Sequence, residues 1–315
     1  MVQYGLLTGL IAVGAILAID GLGGQVSSTF AAVSERIEDK LDEINYNNGC
    51  YNPKNVGQVG TAGMWGECTG MLIVDNAMLR GAAAPAAGGD GSFDLSANGQ
   101  TYSFAEGGGD VFTGQVTDMS RLFDGTSFNG AIGYWETDRV TDMSAMFRDN
   151  ASFNQPIAGW ETENVTDMAA MFQGAGAFNQ PIGNWETARV RDMSEMFSGA
   201  GSFDQPIGRW NTARVVDMGY MFSGASDFSA DLSSWNVANV VEFEGMFFNA
   251  SSFSADLSGW DTTSATAMGG MFSNASAFNA DLSGWCVDFA TNKPFGFDQG
   301  ASAWTDPRPV WGTCP

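Results

Sequence analysis

The chain has 315 residues, of which 44% are hydrophobic, and 36 acidic against 13 basic residues give it a formal net charge of -23. This length and apolar content allow more than one structural unit with a buried core, whereas the acidic surface repels phosphates and excludes nucleic acid as a natural partner. The sequence has no histidine, which excludes histidine-based nucleophile triads and histidine-ligated zinc and so disfavours an enzyme.

An uncharged apolar run, YGLLTGLIAVGAILAI, occupies residues 4–19. Apolar residues then recur at steps of three and four as far as Ile44, which is typical of a single helical stripe, and Asn47-Asn48-Gly49 ends the pattern. The sequence therefore predicts one long N-terminal α-helix over residues 1–46 that serves for assembly. Its predicted contact residues are Tyr4, Leu7, Leu10, Ile11, Ile16, Leu17, Val26, Phe30, Val33, Ile37 and Leu41.

Three interpretations compete for this segment. A signal peptide would have a basic region before the apolar run, and none is present. A permanent membrane anchor is also possible, but the run has 16 residues where a bilayer span needs ~20. The third interpretation is a helix that enters a membrane transiently and then packs against copies of itself, with Gly5, Gly9 and Gly14 permitting close approach.

The same segment resembles the Flp-type pilins of the tight-adherence branch of type IV pili. Tyr4-Gly5-Leu6 and Ser28-Thr29-Phe30 carry the resemblance, which covers about the first 40 residues, and Gln3 stands where that family has a glutamate. The resemblance implies a helical homopolymer with the helices in its core, built from subunits whose leader is removed before assembly.

Four cysteines form two local pairs, Cys50 with Cys68 and Cys286 with Cys314. Neither pair has the CxxC spacing typical of metal sites, so two disulfides are the favoured interpretation. Disulfides indicate an oxidising compartment, which predicts an extracellular protein.

Residues 47–115 are predicted to form an N-terminal cap on the region that follows. Within it, the run 71–80 is typical of a strand, and the low-complexity stretch 81–91 is typical of a flexible loop. Alternating apolar residues on both sides of Asn98-Gly99 predict a β-hairpin.

Seven 25-residue repeats occupy residues 116–285, and residues 286–315 are predicted to form a C-terminal cap. A fixed period of this length predicts stacked units that bury one another's apolar faces. In the leucine-rich-repeat frame, each Trp-Glu-Thr forms a short parallel strand and each Thr-Asp-Met begins a helical turn. The predicted fold class is therefore α+β, with a long N-terminal helix and a leucine-rich-repeat-like solenoid. The tryptophans that mark the period are Trp135, Trp160, Trp185, Trp210, Trp235, Trp260 and Trp285.

The repeats resemble the BspA-type leucine-rich-repeat surface proteins. VTDMSAMF at 140–147, FNQPI at 153–157 and WET at 160–162 carry this resemblance, which covers about 200 residues. It implies a module for extracellular display or adhesion and no particular chemistry.

One residue per unit, between the tryptophan and the next residue of the expected strand, is predicted to point away from the core. This possible ligand face would suit a glycan or calcium, although a solvated surface explains it as well. No other cofactor and no dedicated metal site is predicted, and the aspartates that begin each Thr-Asp-Met turn are explained by capping. The residues of the face are Glu136, Glu161, Glu186, Asn211, Asn236 and Asp261.

These features predict a structural subunit of an extracellular, pilus-like filament, in which the helices form the core and the repeats form an outer surface for attachment. Its expected partners are copies of itself, a membrane before assembly, and a glycan or surface receptor. The alternative is a monomeric, membrane-anchored adhesin with the same repeats.

Overall fold

The computed structural model describes residues 49–62, 64, 68–104 and 110–315. The long helix predicted over residues 1–46, with all its contact residues, lies outside these ranges. The predicted α+β class is wrong, because the described residues contain one α-helix of seven residues and four strands of two or four residues. No helix among them is long and apolar enough to cross a membrane.

The residues before the repeats form two small sheets and one helix. Strand β1 (Leu72–Ile73) pairs in parallel with β4 (Val111–Phe112), and helix α1 (Asn76–Ala82) follows β1. Strands β2 (Asp94–Ala97) and β3 (Gln100–Ser103) form the antiparallel hairpin that the Asn-Gly pair predicted.

The run 71–80 was predicted as a strand, and this is wrong beyond β1. The carboxylate of Asp75 accepts a hydrogen bond from the backbone N–H of Met78 at 2.9 Å. This N-cap starts α1 in the middle of the apolar run. The stretch predicted as a flexible loop is also partly buried, and it contains the 3-10 helix Pro85–Ala87.

Both predicted disulfides are present in the structure. Cys50 pairs with Cys68 beside the first 3-10 helix, Pro53–Asn55, and Cys286 pairs with Cys314 after the last repeat.

The repeats form a stack of irregular coils, each hydrogen-bonded to the next. Met168, Ala170 and Phe172 donate backbone hydrogen bonds of 2.8 to 3.1 Å to carbonyls of the following coil, and equivalent bonds recur along the stack. Parallel bridges join the aspartates of successive Thr-Asp-Met segments, such as Asp142 with Asp167. The ladder therefore runs through the segments that were expected to be helical turns.

The strands expected at Trp-Glu-Thr are absent from the described repeats, and threonine side chains replace their ladder. The hydroxyl of Thr137 donates to the carbonyl of Glu161 at 3.1 Å and accepts from its N–H at 2.8 Å. These bonds satisfy the backbone polar groups without a β-ladder.

Left-handed residues explain why the Thr-Asp-Met segments do not become helices. Each coil has two positions with positive φ, for example Ala170 at 54° and Gly174 at 69°. A right-handed helix cannot continue through such residues, so each segment closes into successive turns. The first left-handed column consists of Arg121, Ala145, Ala170, Glu195, Tyr220, Gly245, Gly270 and Gly296.

Aromatic columns form the core of the stack. Phe172 lies 5.6 Å from Phe147 and 5.7 Å from Phe197, ring centroid to ring centroid, with nearly parallel planes. Within its own coil it stacks on Phe178 at 3.8 Å. The seven period-marking tryptophans and the phenylalanines of these columns are all buried, because the coil spacing matches the distance at which rings pack.

Aromatic rings that meet the columns edge-on close the stack at both ends. Phe104 meets Phe123 of the first coil at an interplanar angle of 64°. At the other end Phe297 meets Phe272 at 83°, and Trp304 meets Phe278 at 90°. A ring that packs edge-on covers the exposed face of the last ring in the column and offers no parallel face on which a further ring could stack.

Helix α1 completes the first end by taking the place of a preceding coil. The side-chain carbonyl of Asn76 accepts from the N–H of Thr117 at 2.8 Å. Arg80 bonds the carboxylate of Asp118 at 2.6 Å and the carbonyl of Ser120 at 3.1 Å.

Candidate functional site

The six residues of the predicted ligand face lie above one another in successive coils. The carbonyl of Glu186 accepts from the hydroxyl of Thr162, and the carbonyl of Asn211 accepts from that of Thr187, both at 3.1 Å. Five of the six are exposed and Glu136 is half-buried. The face is thus a continuous row, although its backbone is not a strand.

The row divides into two halves with different side-chain roles. The side-chain oxygens of Asn211, Asn236 and Asp261 each accept the backbone N–H two residues further on, at 3.1 Å. Such bonds are typical of short polar side chains in turns, and the bonds from Thr263 lower the pKa of Asp261. These three oxygens stabilise their own turns, which distinguishes this half of the possible ligand face from its glutamate half.

At the N-terminal end of the row, three carboxylates form an acidic cluster. Glu136, Asp138 and Glu161 each place one carboxylate oxygen within 4.8 Å of the others. Asp138 was not among the predicted site residues. A pattern in the sequence could have identified it, because only the first two units carry an acidic residue after Trp-Glu-Thr, Asp138 and Glu163.

The cluster is electrostatically strained. Burial raises the pKa of the Asp138 carboxyl, and the negative charge of Glu161 raises it further. Its Oδ1 atom is buried and has no hydrogen-bond partner within the described ranges. An ionised carboxylate in this position loses solvation without full compensation.

Tyr51 brings the N-terminal region against this cluster. Its ring packs edge-on against Phe112 at 5.2 Å, and burial, together with the charges of Asp138 and Glu136, raises the pKa of the phenol well above its usual range. Gln115 holds the adjoining chain by donating to the carbonyls of Cys50 and Asn52 at 2.7 and 2.9 Å. The acidic cluster therefore lies close to the first disulfide.

The chemistry available to the cluster is the attraction of cations. Carboxylate oxygens are the ligands that calcium prefers, but calcium takes about six to eight of them, and the cluster offers three side chains. The aspartates of the Thr-Asp-Met segments are engaged elsewhere. For instance, Asp167 accepts the N–H of Ala169 at 2.9 Å, which is a turn contact within its own coil.

A groove of about 770 Å³ lies on another side of the stack. Pro181 and Pro206 form part of its walls, and Asp204, Arg209 and Asp231 supply charged groups. It spans the change from the Gln-Pro-Ile units to the Ala-Asp-Leu units. Such a concave, mixed surface suits an extended polar ligand.

The described coils, each hydrogen-bonded to the next, are the arrangement found in repeat proteins. The chain matches the family described as "Mycoplasma protein of unknown function, DUF285" over residues 97–207 and 193–306, about two thirds of its length. It belongs to this family, whose description assigns no activity. Comparisons with curated proteins and with solved structures gave no match.

Proposed function

We propose that the chain is a structural subunit of an extracellular surface filament. Its apolar N-terminal segment joins the copies, and its repeat stack forms an outer surface used in attachment. The proposal assigns binding and assembly to the protein, without catalysis.

The closure of both ends of the repeat stack is the observation that carries this proposal. Trp304 stands perpendicular to Phe278 with ring centroids 4.8 Å apart, and Asn76 and Arg80 occupy the ladder positions of the first coil. Copies therefore cannot extend the repeat core end to end. Assembly falls to another part of the chain, and the uncharged run at residues 4–19 is suited to bury itself between copies.

Charge and disulfides support an extracellular outer layer. Two disulfides favour an oxidising compartment. The net charge of -23 keeps neighbouring repeat stacks soluble and apart.

The repeats also suit attachment, because they combine a constant core with a changing surface. The buried tryptophan column keeps one residue type throughout. The first left-handed column instead changes from Ala170 to Glu195, Tyr220 and Gly245. A filament carrying many copies of such a surface gains strength through multivalency even when each contact is weak.

The second candidate is a monomeric adhesin held in a membrane by the same segment. The absence of charge over residues 4–19 favours it. The two proposals differ in what surrounds that run, which is other copies in one case and lipid in the other.

Electron microscopy of material sheared from the source cells distinguishes them. The wild-type chain is expected in uniform thin filaments, and Ile11→Lys is expected to abolish them because a buried charge in the joining segment lacks a partner. Val216→Lys, at a side chain that is 40% exposed on the stack, is the matched control and should assemble normally.

Circular dichroism should show the same folded repeats in both lysine variants. Normal filaments from Ile11→Lys would refute the filament proposal, as would wild-type protein recovered only as single particles embedded in membrane.

A further inference from the structure

A second concave site lies among the last three coils. It has a volume of about 440 Å³, and three aromatic residues, Tyr220, Phe248 and Phe295, are among those that line it. We call it the Tyr220 pocket. None of these residues belongs to the predicted ligand face or to the acidic cluster.

Successive glycines create the floor of the pocket. The first left-handed column carries side chains as far as Tyr220 and then continues as Gly245, Gly270 and Gly296. A Cβ atom at Gly245 would stand 2.3 Å from Cε1 of Tyr220, so the tyrosine ring lies directly over this glycine. The ring can occupy that place only because Gly245 has no side chain.

Phe295 stands almost entirely in water. The residue is 94% exposed, although its carbonyl accepts a ladder hydrogen bond from the N–H of Gly270 at 3.0 Å. Pro294 before it has a fixed φ, and Gly296 after it adopts the left-handed conformation that continues the column. The ladder hydrogen bond thus orders the backbone that carries this exposed ring, and the ring is open to a ligand in the pocket.

The polar groups of the pocket carry negative charge. The Tyr220 hydroxyl donates to Oε1 of Glu244 at 2.9 Å. This hydrogen bond is the main cause that raises the pKa of the Tyr220 hydroxyl, and the more distant charge of Glu195 in the preceding coil adds to it. Lys293, two residues before Phe295, is paired with Asp298 at 2.7 Å.

We propose that the Tyr220 pocket binds a quaternary ammonium group of the choline type. Aromatic faces attract such cations through the ring quadrupole, and the Glu244 carboxylate adds a direct charge attraction. A neutral ligand of the same shape gains the apolar contact alone. This binding site is independent of filament assembly and goes beyond the proposed function.

Calorimetric titration of the full chain at low salt tests the assignment. The probe is choline chloride, and its uncharged isostere 3,3-dimethyl-1-butanol is the matched ligand control. Choline is expected to bind about tenfold more tightly, because only the cation gains the quadrupole and carboxylate attraction. Equal binding of the two probes would overturn the proposal.

Two variants test the residues. Phe295→Ala and Glu244→Gln are each expected to weaken choline binding about fivefold. Both side chains are exposed, so the fold should be unchanged by circular dichroism. Val310→Ala removes another exposed apolar side chain, outside the pocket, and should bind choline like the wild type. Wild-type affinity in Phe295→Ala would refute the assignment.

Binding of the full chain to phosphatidylcholine vesicles, with phosphatidylglycerol vesicles as the control, tests whether the quaternary ammonium group comes from a lipid. Binding of free choline indicates a soluble ligand, and binding confined to phosphatidylcholine vesicles indicates a lipid head group. Binding in neither arm would overturn the proposal.

Discussion

Replacement of one core tryptophan by phenylalanine tests the energetics of the stack. The buried indole N–H of Trp185 donates to the carbonyl of Ile157 in the preceding coil at 3.2 Å. Trp135 is equally buried, but its indole nitrogen has no hydrogen-bond partner among the residues the structure describes. Replacement of tryptophan by phenylalanine therefore removes a hydrogen bond between coils at position 185 and removes none at position 135.

The magnitudes follow from what each change removes. Loss of about three ring atoms costs roughly 1.5 kcal/mol of buried contact at either position. At Trp185 the Ile157 carbonyl also loses a donor, although it keeps the N–H of Trp160 at 3.2 Å. Because the Ile157 carbonyl keeps one hydrogen bond, loss of the indole donor costs about 1 kcal/mol, the lower limit for a buried polar group that loses a partner. We expect Trp185→Phe to cost about 2.5 kcal/mol and Trp135→Phe about 1.5 kcal/mol.

Urea denaturation followed by far-UV circular dichroism measures both values. Midpoints are compared at a common slope, because extrapolated free energies are less certain than midpoints. Trp210→Phe is the internal control, since its indole donates to the Ile182 carbonyl at 3.1 Å, and it should match Trp185→Phe. Equal costs at Trp135 and Trp185, or the larger cost at Trp135, would refute this account of the indole bond.

Three further predictions concern backbone strain and charge. Ala170→Gly should raise the free energy of unfolding by about 0.5 kcal/mol, because relief of a left-handed alanine slightly exceeds the added chain entropy. Gly174→Ala should lower the free energy of unfolding by about 1 to 2 kcal/mol, since its φ is 69° and a Cβ atom would lie 2.6 Å from the Asp149 carboxylate. Urea denaturation measures both changes, and a change of the same sign in the two variants would contradict this account of left-handed strain. Because the raised pKa of Asp138 makes the folded state bind the proton more strongly, its contribution to stability is lost as pH rises. Asp138→Asn should therefore be more stable than wild type by roughly 0.5 kcal/mol at pH 7 and equal to it below about pH 3.5, and a difference that is independent of pH would exclude this cause.

The sequence predicted only part of the candidate sites. The ligand-face row follows from the period, and its residues do lie above one another. The division of that row was not predicted, because it depends on whether a side chain turns back to its own backbone, as Asn211 does. Asp138 was missed although the acidic residue after Trp-Glu-Thr in the first two units marks its position, because the burial that sets its carboxylate apart is visible only in the structure. The Tyr220 pocket was missed because its glycines and Phe295 come from different units, each of which has an ordinary composition.

The sequence by itself determined the period, the aromatic columns, the hairpin turn at Asn98-Gly99 and both cysteine pairs, because each depends on residue type and spacing. It did not determine the form of each coil. The leucine-rich-repeat frame placed the ladder at Trp-Glu-Thr, whereas the structure places it at Thr-Asp-Met. Left-handed residues such as Ala170 and side-chain bonds such as that of Thr137 are stabilised by the adjacent coil. A single repeat contains no information about those contacts, so only the stacked structure decides which backbone groups pair.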